Sequence, residues 1–372
     1  MKILHLVNID QHFAQHLIPA TRAQVAAGHE VHAAGARTDA AAIEKIRAAG
    51  ITWHDLPFHR SSLNPMQMLA EWRATARLVR QLQPALIRTS TWKPLAAIGM
   101  ARRHLPPLRV HYAIPGLGYM FLNRSAKAQL ARRSTLWLLT RIARVPNTRF
   151  EVLNSDDQRW LASLIGDAAP IDLLPGLGVD TEYFAPLPQP PAPPYIFVLP
   201  ARLLWDKGIR ELAEAARLLH AERAPVRIVL AGPLDPGNPR AISEAQLQQW
   251  QQEGILDYWG NLADIRTGWV KAHGCILPSY REGLSMTLIE AAACARAIIC
   301  SDVSGCRETV GNGESGFLVP VGDAGAIAAA IMRYVANPAL LTAHGEAGRR
   351  HALAQFDVRI VQKIFLEKAE QA

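Results

Sequence analysis

Two carboxylates eight positions apart, Glu282 and Glu290, are the residues of this 372-residue chain whose types and spacing most directly invite chemistry. They bracket the segment Pro-Ser-Tyr-Arg-Glu-Gly-Leu-Ser-Met-Thr-Leu-Ile-Glu, positions 278–290. Glu282 falls in a glycine-containing turn just past a short apolar, strand-like run at 275–277. Glu290 falls in a helical run, 288–293, that is otherwise Leu, Ile and Ala. Ser285 reads as the N-cap of that helix. A helix start beside a strand end presents free backbone N–H groups and a positive dipole end. That suits a phosphate and places Ser285, Met286 and Thr287 against it. A carboxylate buried unpaired among alanines and leucines costs on the order of several kcal/mol. Glu290 therefore either meets a partner or ligand or lies on the one wet face of its helix.

A second set stands at an earlier strand end. The first strand of the second half runs directly into Ala-Arg-Leu-Leu-Trp-Asp-Lys-Gly, positions 201–208. Ligands of open α/β sheets bind at the carboxyl ends of strands. Arg202 can take a diphosphate bidentately and Lys207 as a point charge, with Gly208 opening the next helix. A solvated pair of loop cations is the plain alternative, and the two glutamates at a later strand end of the same half weigh against it. Gly232 follows the next strand, and the loop 260–264 with Leu262 follows the one after. Both are turn signals that allow close approach to a base or ribose. In the first half Gly116 and Gly118 form a two-glycine loop after the fifth strand. It permits close backbone approach and is equally compatible with an ordinary turn. The stretch 124–144 sets Arg124, Lys127, Arg132, Arg133, Arg141 and Arg144 around Leu and Trp residues. Such a helix either lies on an anionic membrane surface or packs on the core with a solvated basic face.

The elements that must position these residues alternate throughout. Strand-like runs at 3–7, 29–34, 51–56, 85–89, 109–114 and 150–153 are separated by helical stretches such as 64–82, where Leu69, Trp72, Ala76 and Val79 recur at helical spacing. The pattern restarts at 195–200, 226–231, 255–258, 274–277, 297–300 and 317–319. Alternation of this kind predicts an α/β fold with mostly parallel sheets and helices on both faces. Six prolines crowd positions 185–194, which reads as a stiff linker. The expected organisation is a first domain over 1–185, a linker over 186–194, and a second domain over 195–372 whose last helices pack on the outside. Two doubly wound domains so joined leave a cleft, a preferred kind of ligand site.

Charge is uneven. Residues 1–185 hold 22 Lys+Arg against 13 Asp+Glu, a balance of +9; residues 186–372 hold 18 against 19, a balance of −1, which together give the net +8. A basic half points to an anionic partner, a phospholipid surface or a lipid diphosphate. Nucleic acid is disfavoured, because no zinc finger, RNA-binding signature or long Lys/Arg block occurs. No apolar run approaches the ~18–20 residues of a membrane span. The N-terminus has too short an apolar run for a signal peptide, so a cytoplasmic location is expected. The four cysteines, at 275, 294, 300 and 306, lack metal-like spacing and read as buried thiols. No DxD pair offers a site for Mg²⁺ or Mn²⁺, so no metal and no cofactor is expected. P-loop, GxSxG and GxGxxG motifs are absent too, which removes the best support for an NTPase or a dehydrogenase.

Taken together, Arg202, Lys207-Gly208, Gly232, Pro278-Ser279, Glu282-Gly283 and Glu290 resemble the retaining glycosyltransferases of family 4, whose E-x7-E pattern they reproduce. Pro175–Asp180 resembles the family's P-N-G-V-D segment and Gly116-Leu117-Gly118 its G-L-G loop. The segment 58–65 resembles a subgroup that includes N-acetylgalactosaminyltransferases extending undecaprenyl-diphosphate-linked oligosaccharides. The resemblance implies the GT-B fold, two Rossmann-like domains facing a cleft. It implies that Arg202 and Lys207 bind the donor diphosphate, that Glu282 contacts the donor sugar and that Glu290 holds the ribose hydroxyls. It implies a metal-independent reaction in which the two cations and the helix start stabilise the leaving group. Several positions depart from the pattern: the first loop, Asn8–Phe13, has no glycine, Pro115 replaces a usual histidine, Ala295 a usual glycine, and Ser285 a common proline. The expected activity is transfer of a sugar, an N-acetylhexosamine by the subgroup likeness, from a UDP-sugar to a lipid-diphosphate-linked saccharide in surface polysaccharide or O-antigen assembly, at the inner face of the cell membrane. A UDP-sugar 2-epimerase and a non-catalytic sugar-nucleotide-binding protein are the rival classes. The E-x7-E pair and the basic first half disfavour the epimerase, and the intact set of four charged residues disfavours loss of catalysis.

Overall fold

The computed structural model describes all residues except 60–63, 115, 117–125 and 372. The chain divides into two compact units, Met1–Gly178 with Val358–Ala372, and Val179–Asp357.

The first unit is built on a seven-stranded parallel sheet: β1 (Lys2–Ile9), β2 (Glu30–Ala36), β3 (Thr52–Asp55), β4 (Leu86–Thr89), β5 (Arg109–Ile114), β6 (Thr148–Val152) and β7 (Ile171–Leu173), in the order β3-β2-β1-β4-β5-β6-β7. Its main helices are α1 (Ile18–Ala26), α2 (Ala40–Ala48), α3 (Pro65–Leu82), α4 (Trp92–Ala101), α5 (Ala126–Ala143) and α6 (Ser155–Ile165). Side chains alternate across the sheet, as strand geometry requires. Leu4, Leu6, Ile87, Val110, Tyr112, Ile114, Phe150 and Val152 face one core with Ile98, Leu138 and Ile142 of the helices. Asparagine N-caps start two of those helices. Asn64 accepts from Met66 N, with Pro65 in the first turn, and Asn154 accepts from Asp157 N.

The second unit carries a six-stranded parallel sheet: β8 (Tyr195–Pro200), β9 (Val226–Ala231), β10 (Asp257–Tyr258), β11 (Gly274–Leu277), β12 (Ala297–Ser301) and β13 (Gly316–Val319), in the order β10-β9-β8-β11-β12-β13. Helices α7 (Ile209–Ala221), α8 (Glu244–Gln252), α9 (Met286–Ala293), α10 (Ala324–Ala336) and α11 (Ala339–Gln355) enclose it. The core strands are continuous apolar runs, Phe197–Leu199, Cys275–Leu277 and Ile298–Cys300, because both faces are covered. All four cysteines are free and buried here.

The twelve strands read from sequence are present. The thirteenth, β7, is three residues long on a sheet edge, too short to show a period. Two boundaries differ from the sequence reading. The last helix, α12 (Val358–Glu370), packs on the first unit, not with the outer helices of the second. Val361 and Phe365 enter a core of the first sheet, Gln362 Nε2 donates to Pro19 O at 2.8 Å, and Lys368 pairs with Asp172 at 2.8 Å. An amphipathic helix announces that one face will be buried; its sequence does not say against which sheet. Likewise 186–194 does not stand between the units as a stiff linker but lies within the second, which begins at Val179. Leu187 N donates to Cys294 O, and the fully buried Arg296 donates to Pro188 O at 2.7 Å. A buried guanidinium needs acceptors, and the proline carbonyls supply one, which pins the segment down.

Candidate active site

In each sheet the strand order reverses beside the first strand of its unit, between β1 and β4 and between β8 and β11. The carboxyl ends of strands at such a switch point are where doubly wound sheets bind ligands. Arg202, Lys207 and Gly208 follow β8; Glu282, Ser285 and Glu290 follow β11. Sequence neighbours of two different strands are thus brought to one place.

Their contacts are direct. Lys207 Nζ donates to Glu282 Oε1 at 2.6 Å, and Ser279 Oγ donates to the same oxygen at 2.7 Å. Lys207 is 23% exposed and Glu282 11%, so the pair is shielded yet reachable. Oε1 is thereby doubly occupied, and Oε2 is the oxygen left to accept from a ligand. Gly208 makes this approach possible. It has φ +70°, and a Cβ there would stand 2.0 Å from Pro278 O. Any side chain would force apart the loops that carry Lys207 and Glu282. Arg202 is more open, 50% exposed, and pairs with Asp235 at 3.2 Å. Exposed pairs of this kind are worth about 0–1 kcal/mol, so Arg202 can exchange Asp235 for another anion at little cost.

Ser285 caps α9: its hydroxyl accepts from Leu288 N, and Thr287 Oγ1 donates to Pro200 O at 3.2 Å, tying the helix start to the end of β8. The first-turn N–H groups at Met286 and Thr287 have no acceptor within the helix. One turn on, Glu290 lies between buried neighbours, Leu288 and Ile289 before it and Ala291–Ala293 after it. Burial pushes its carboxyl up to about 7. No side chain among the described residues pairs with it. Glu290 itself keeps a partial opening to solvent, through which a ligand can reach its carboxyl.

Gly232 is placed differently from the sequence reading's emphasis. Its N–H donates to Gly260 O, its carbonyl accepts from Tyr258, and a Cβ would stand 2.0 Å from Ala201 O. Its polar groups are engaged inside the protein, and its smallness lets the loops after β8 and β9 touch. Leu262 packs against the second core from the loop after β10. In the first unit, Gly116 follows β5 with φ +151°; Gly118 and Pro115 lie outside the described residues. Asp10 takes up the glycine-free first loop. Its carboxylate accepts from the N–H groups of Gln11, Thr38 and Asp39 and from the Thr38 hydroxyl. Burial raises its pKa, but these hydrogen bonds outweigh burial and hold it below the ordinary range.

Sequence reasoning named Ser279 only within the family resemblance, and did not single out Asp235 or Tyr280, whose hydroxyl donates to Glu211 at 2.7 Å. Ser279 alone had a local signal, its place three residues before Glu282. No cluster of three His, Cys, Asp or Glu able to hold a metal ion occurs among the described residues.

Comparison with known proteins gives the family and the fold. Residues 194–337 match the family described as glycosyl transferases group 1. They form a glycosyl transferases group 1 domain, and the protein is a glycosyltransferase. It is 25% identical over 340 residues to the N,N'-diacetylbacillosaminyl-diphospho-undecaprenol alpha-1,3-N-acetylgalactosaminyltransferase of Campylobacter jejuni, with 87% of each chain covered. It is 26% identical over 381 residues to a putative glycosyltransferase, EpsD, of Bacillus subtilis, covering 98% of this chain and 95% of that one. Among solved structures, sucrose-phosphate synthase from Thermosynechococcus elongatus superposes with a TM-score of 0.83 at 21% identity, over 100% of this chain and 99% of that one. Anabaena HepE in complex with UDP and glucose superposes with a TM-score of 0.77 at 18% identity, over 99% of both. The glycosyltransferase thus has the GT-B fold, two Rossmann-like units each built on one parallel sheet.

Proposed function

We propose that the enzyme moves a sugar, an N-acetylhexosamine by likeness to the Campylobacter transferase, from a UDP-sugar to an undecaprenyl-diphosphate-linked saccharide in bacterial surface polysaccharide assembly. The observation that carries the donor half of this reading is the grouping of Lys207, Glu282, the α9 start and the unpaired Glu290 at the β8/β11 switch point. UDP is supported as the leaving group by the nucleotide bound in HepE. The lipid-linked acceptor is supported by the name of the Campylobacter relative. Arg202 and Lys207 neutralise the diphosphate and the α9 N–H groups receive its outer oxygens. Glu290 accepts from the ribose hydroxyls, which supplies the partner it lacks, and Glu282 Oε2 accepts from a sugar hydroxyl. The bond from the anomeric carbon to the β-phosphate oxygen breaks with its electron pair going to phosphate. The acceptor hydroxyl attacks from the same face, retaining configuration, and its proton passes to a phosphate oxygen. Two side-chain cations and a helix start provide the charge stabilisation a divalent metal provides elsewhere, so turnover needs none.

The first unit takes the acceptor, with Gly116 and Gly118 near it. Among the described residues no single helix is long and apolar enough to cross a membrane. The acceptor's lipid is reached from the cytoplasmic surface, to which the basic stretch 124–144 is drawn. Arg132 and Arg133 of α5 are exposed, and Arg141 stacks on the exposed Trp137 at 5.0 Å.

The test is incubation of purified protein with UDP-N-acetylhexosamines, with and without an undecaprenyl-diphosphate-linked saccharide, in excess EDTA. Elongation of the lipid-linked saccharide with release of UDP is expected at full rate. Epimerised sugar nucleotide without acceptor, absence of any turnover despite UDP binding, or turnover restored only by Mn²⁺ or Mg²⁺ would each overturn a named part.

A further inference from the structure

Helix α3 and the end of α4 enclose a groove of about 490 Å³ in the first unit. It is separate from the carboxyl edge of the sheet. Helix α3 ends at residue 82 and β4 starts at 86, so the far end of the groove, at Arg80 and His104, lies toward the amino edge.

The floor is apolar: Ala76 and Ala101 are buried, and Leu69 and Trp72 are partly covered. The rim is basic. Arg73, Arg77 and Arg80 are exposed and stand at i, i+4 and i+7 on one helix stripe, all within the groove lining. Arg80 Nη2 donates to His104 O at 3.1 Å; Arg73 and Arg77 meet no carboxylate among the described residues. Like charges stacked at this spacing repel, and an anion between them relieves the repulsion. Met66, one heptad before Arg73 on the same stripe, is 74% exposed.

The surrounding sequence keeps acids away. Residues 56–150 contain 16 Lys+Arg and a single acid, Glu71. That one acid is spent: it is buried, and its Oε1 accepts from Lys93 Nζ at 2.9 Å and from His59 N at 2.9 Å. Three unpaired or backbone-bound guanidinium groups above a floor of Leu, Trp and Ala match an amphiphile with an anionic head and a hydrocarbon tail. A small anion would leave the floor and Met66 unused.

We propose that this groove seats the head group and first acyl methylenes of an anionic phospholipid, fixing the first unit to a bilayer at a defined place. The proposal goes beyond the acceptor reading above and needs only a bilayer, so its test contains no sugar and can fail without touching that reading. The measurement is co-sedimentation with vesicles of phosphatidylcholine alone or with about one-third phosphatidylglycerol. Wild type is compared with the triple variant Arg73→Gln/Arg77→Gln/Arg80→Gln and with Arg22→Gln/Lys45→Gln/Arg47→Gln, which removes the same charge from exposed positions elsewhere on the unit. A third variant changes Lys127, Arg132, Arg133, Arg141 and Arg144 to Gln. The groove triple should lose at least ~30-fold in partition onto anionic vesicles, on the scale of three near-surface cations, and the control triple at most about threefold. Binding should weaken as salt rises, since the Debye length shrinks to ~3 Å at 1 M. Quenching of tryptophan fluorescence by bromine-labelled acyl chains should fall in Trp72→Phe. The altered side chains of the two triples and Trp72 are exposed or partly so, and unchanged circular dichroism of every variant confirms folding. Equal loss in both triples would reduce the effect to net charge. Loss only in the 127–144 variant would move the site to α5. Thermal stabilisation by inorganic phosphate equal to that by a short-chain phosphatidylglycerol would mean a bare anion site. Each of these results, or no binding at low salt, overturns the proposal.

Discussion

Two carboxylates set among buried neighbours, one in each unit, have opposite fates. Glu151, on β6, belongs to a polar row on the face of the first sheet that α12 covers. His5, Arg88 and His111 are in register across β1, β4 and β5. Arg88 Nε donates to Glu151 Oε2 at 2.6 Å, and His111 Nδ1 lies 3.1 Å from Oε1. The Arg88 guanidinium stacks 3.8 Å from the centre of the Phe365 ring on α12. Burial pushes Glu151 up, but Arg88 and His111 overcome it and hold the carboxyl at about 2. Glu290, largely but not fully withdrawn from water and with no cation beside it, rises to about 7. Desolvation pushes both carboxyls up, so the partner decides. A carboxylate with its partners built in is structure; one without them is a site waiting for a donor of hydrogen bonds.

The largest effect should come from breaking the satisfied side. Glu151→Ala leaves Arg88 charged and buried, and stability should fall by ~3–5 kcal/mol in urea denaturation. A loss under ~1 kcal/mol would remove the contrast. The pH dependence sharpens it, because the two shifts have opposite signs. Glu151 is held below its ordinary 4.5, so the unfolded chain binds the proton first and stability is lost as pH falls from about 4.5 toward about 2. Glu290 is raised, so the folded state holds the proton longer, and stability falls as pH rises from about 4.5 to about 7. Glu290→Gln should abolish that second decline and leave the first.

Glu282 is the intermediate case, paired with Lys207 but reachable. Lys207→Ala should lower kcat/KM at least ~10²-fold, because it removes charge stabilisation that grows as the diphosphate leaves and also unpairs Glu282. Arg202→Ala should act in the same direction. Near-normal activity in both variants would mean the cations only hold the loops. For Glu290 itself, Glu290→Gln should weaken UDP binding about tenfold at pH 8, the scale of hydrogen bonds to a charged group. Wild-type affinity should rise between about pH 6 and 8 as the carboxyl ionises, beyond the rise the variant shares from UDP's own titration. Calorimetry with UDP alone reads both, and equal affinities would reject the ribose role.

The smallest effect concerns Ala295, where the resemblance leads one to expect glycine. It sits just past α9 at φ +56°. Ala295→Gly should relieve a left-handed alanine and raise stability by ~1 kcal/mol, read as a shift in urea midpoint. No change would show that packing has absorbed the strain.

Twelve of the thirteen strands were legible in sequence because buried parallel strands are unbroken apolar runs bounded by turns, whereas the three-residue β7 was not. The helix cap at Ser285 was legible for a similar reason, as capping is a local hydrogen bond. Arg202, Lys207, Glu282 and Glu290 could be named because strand-end position and charge type are written in the chain. That Lys207 and Glu282, 75 positions apart, share a hydrogen bond was not. It depends on β8 and β11 being neighbours and on Gly208 letting Pro278 close.

The sequence by itself determined where twelve of the strands, the Ser285 cap and the charges would fall, because those follow from periodicity and local hydrogen bonding. Only the tertiary structure decided which charges met. It gave α12 to the first sheet, fixed the proline segment on Arg296, and supplied Arg88 to Glu151 while leaving Glu290 without a partner. Burial and pairing are properties of what lies across a packed interface, and no run of neighbouring residues contains that information.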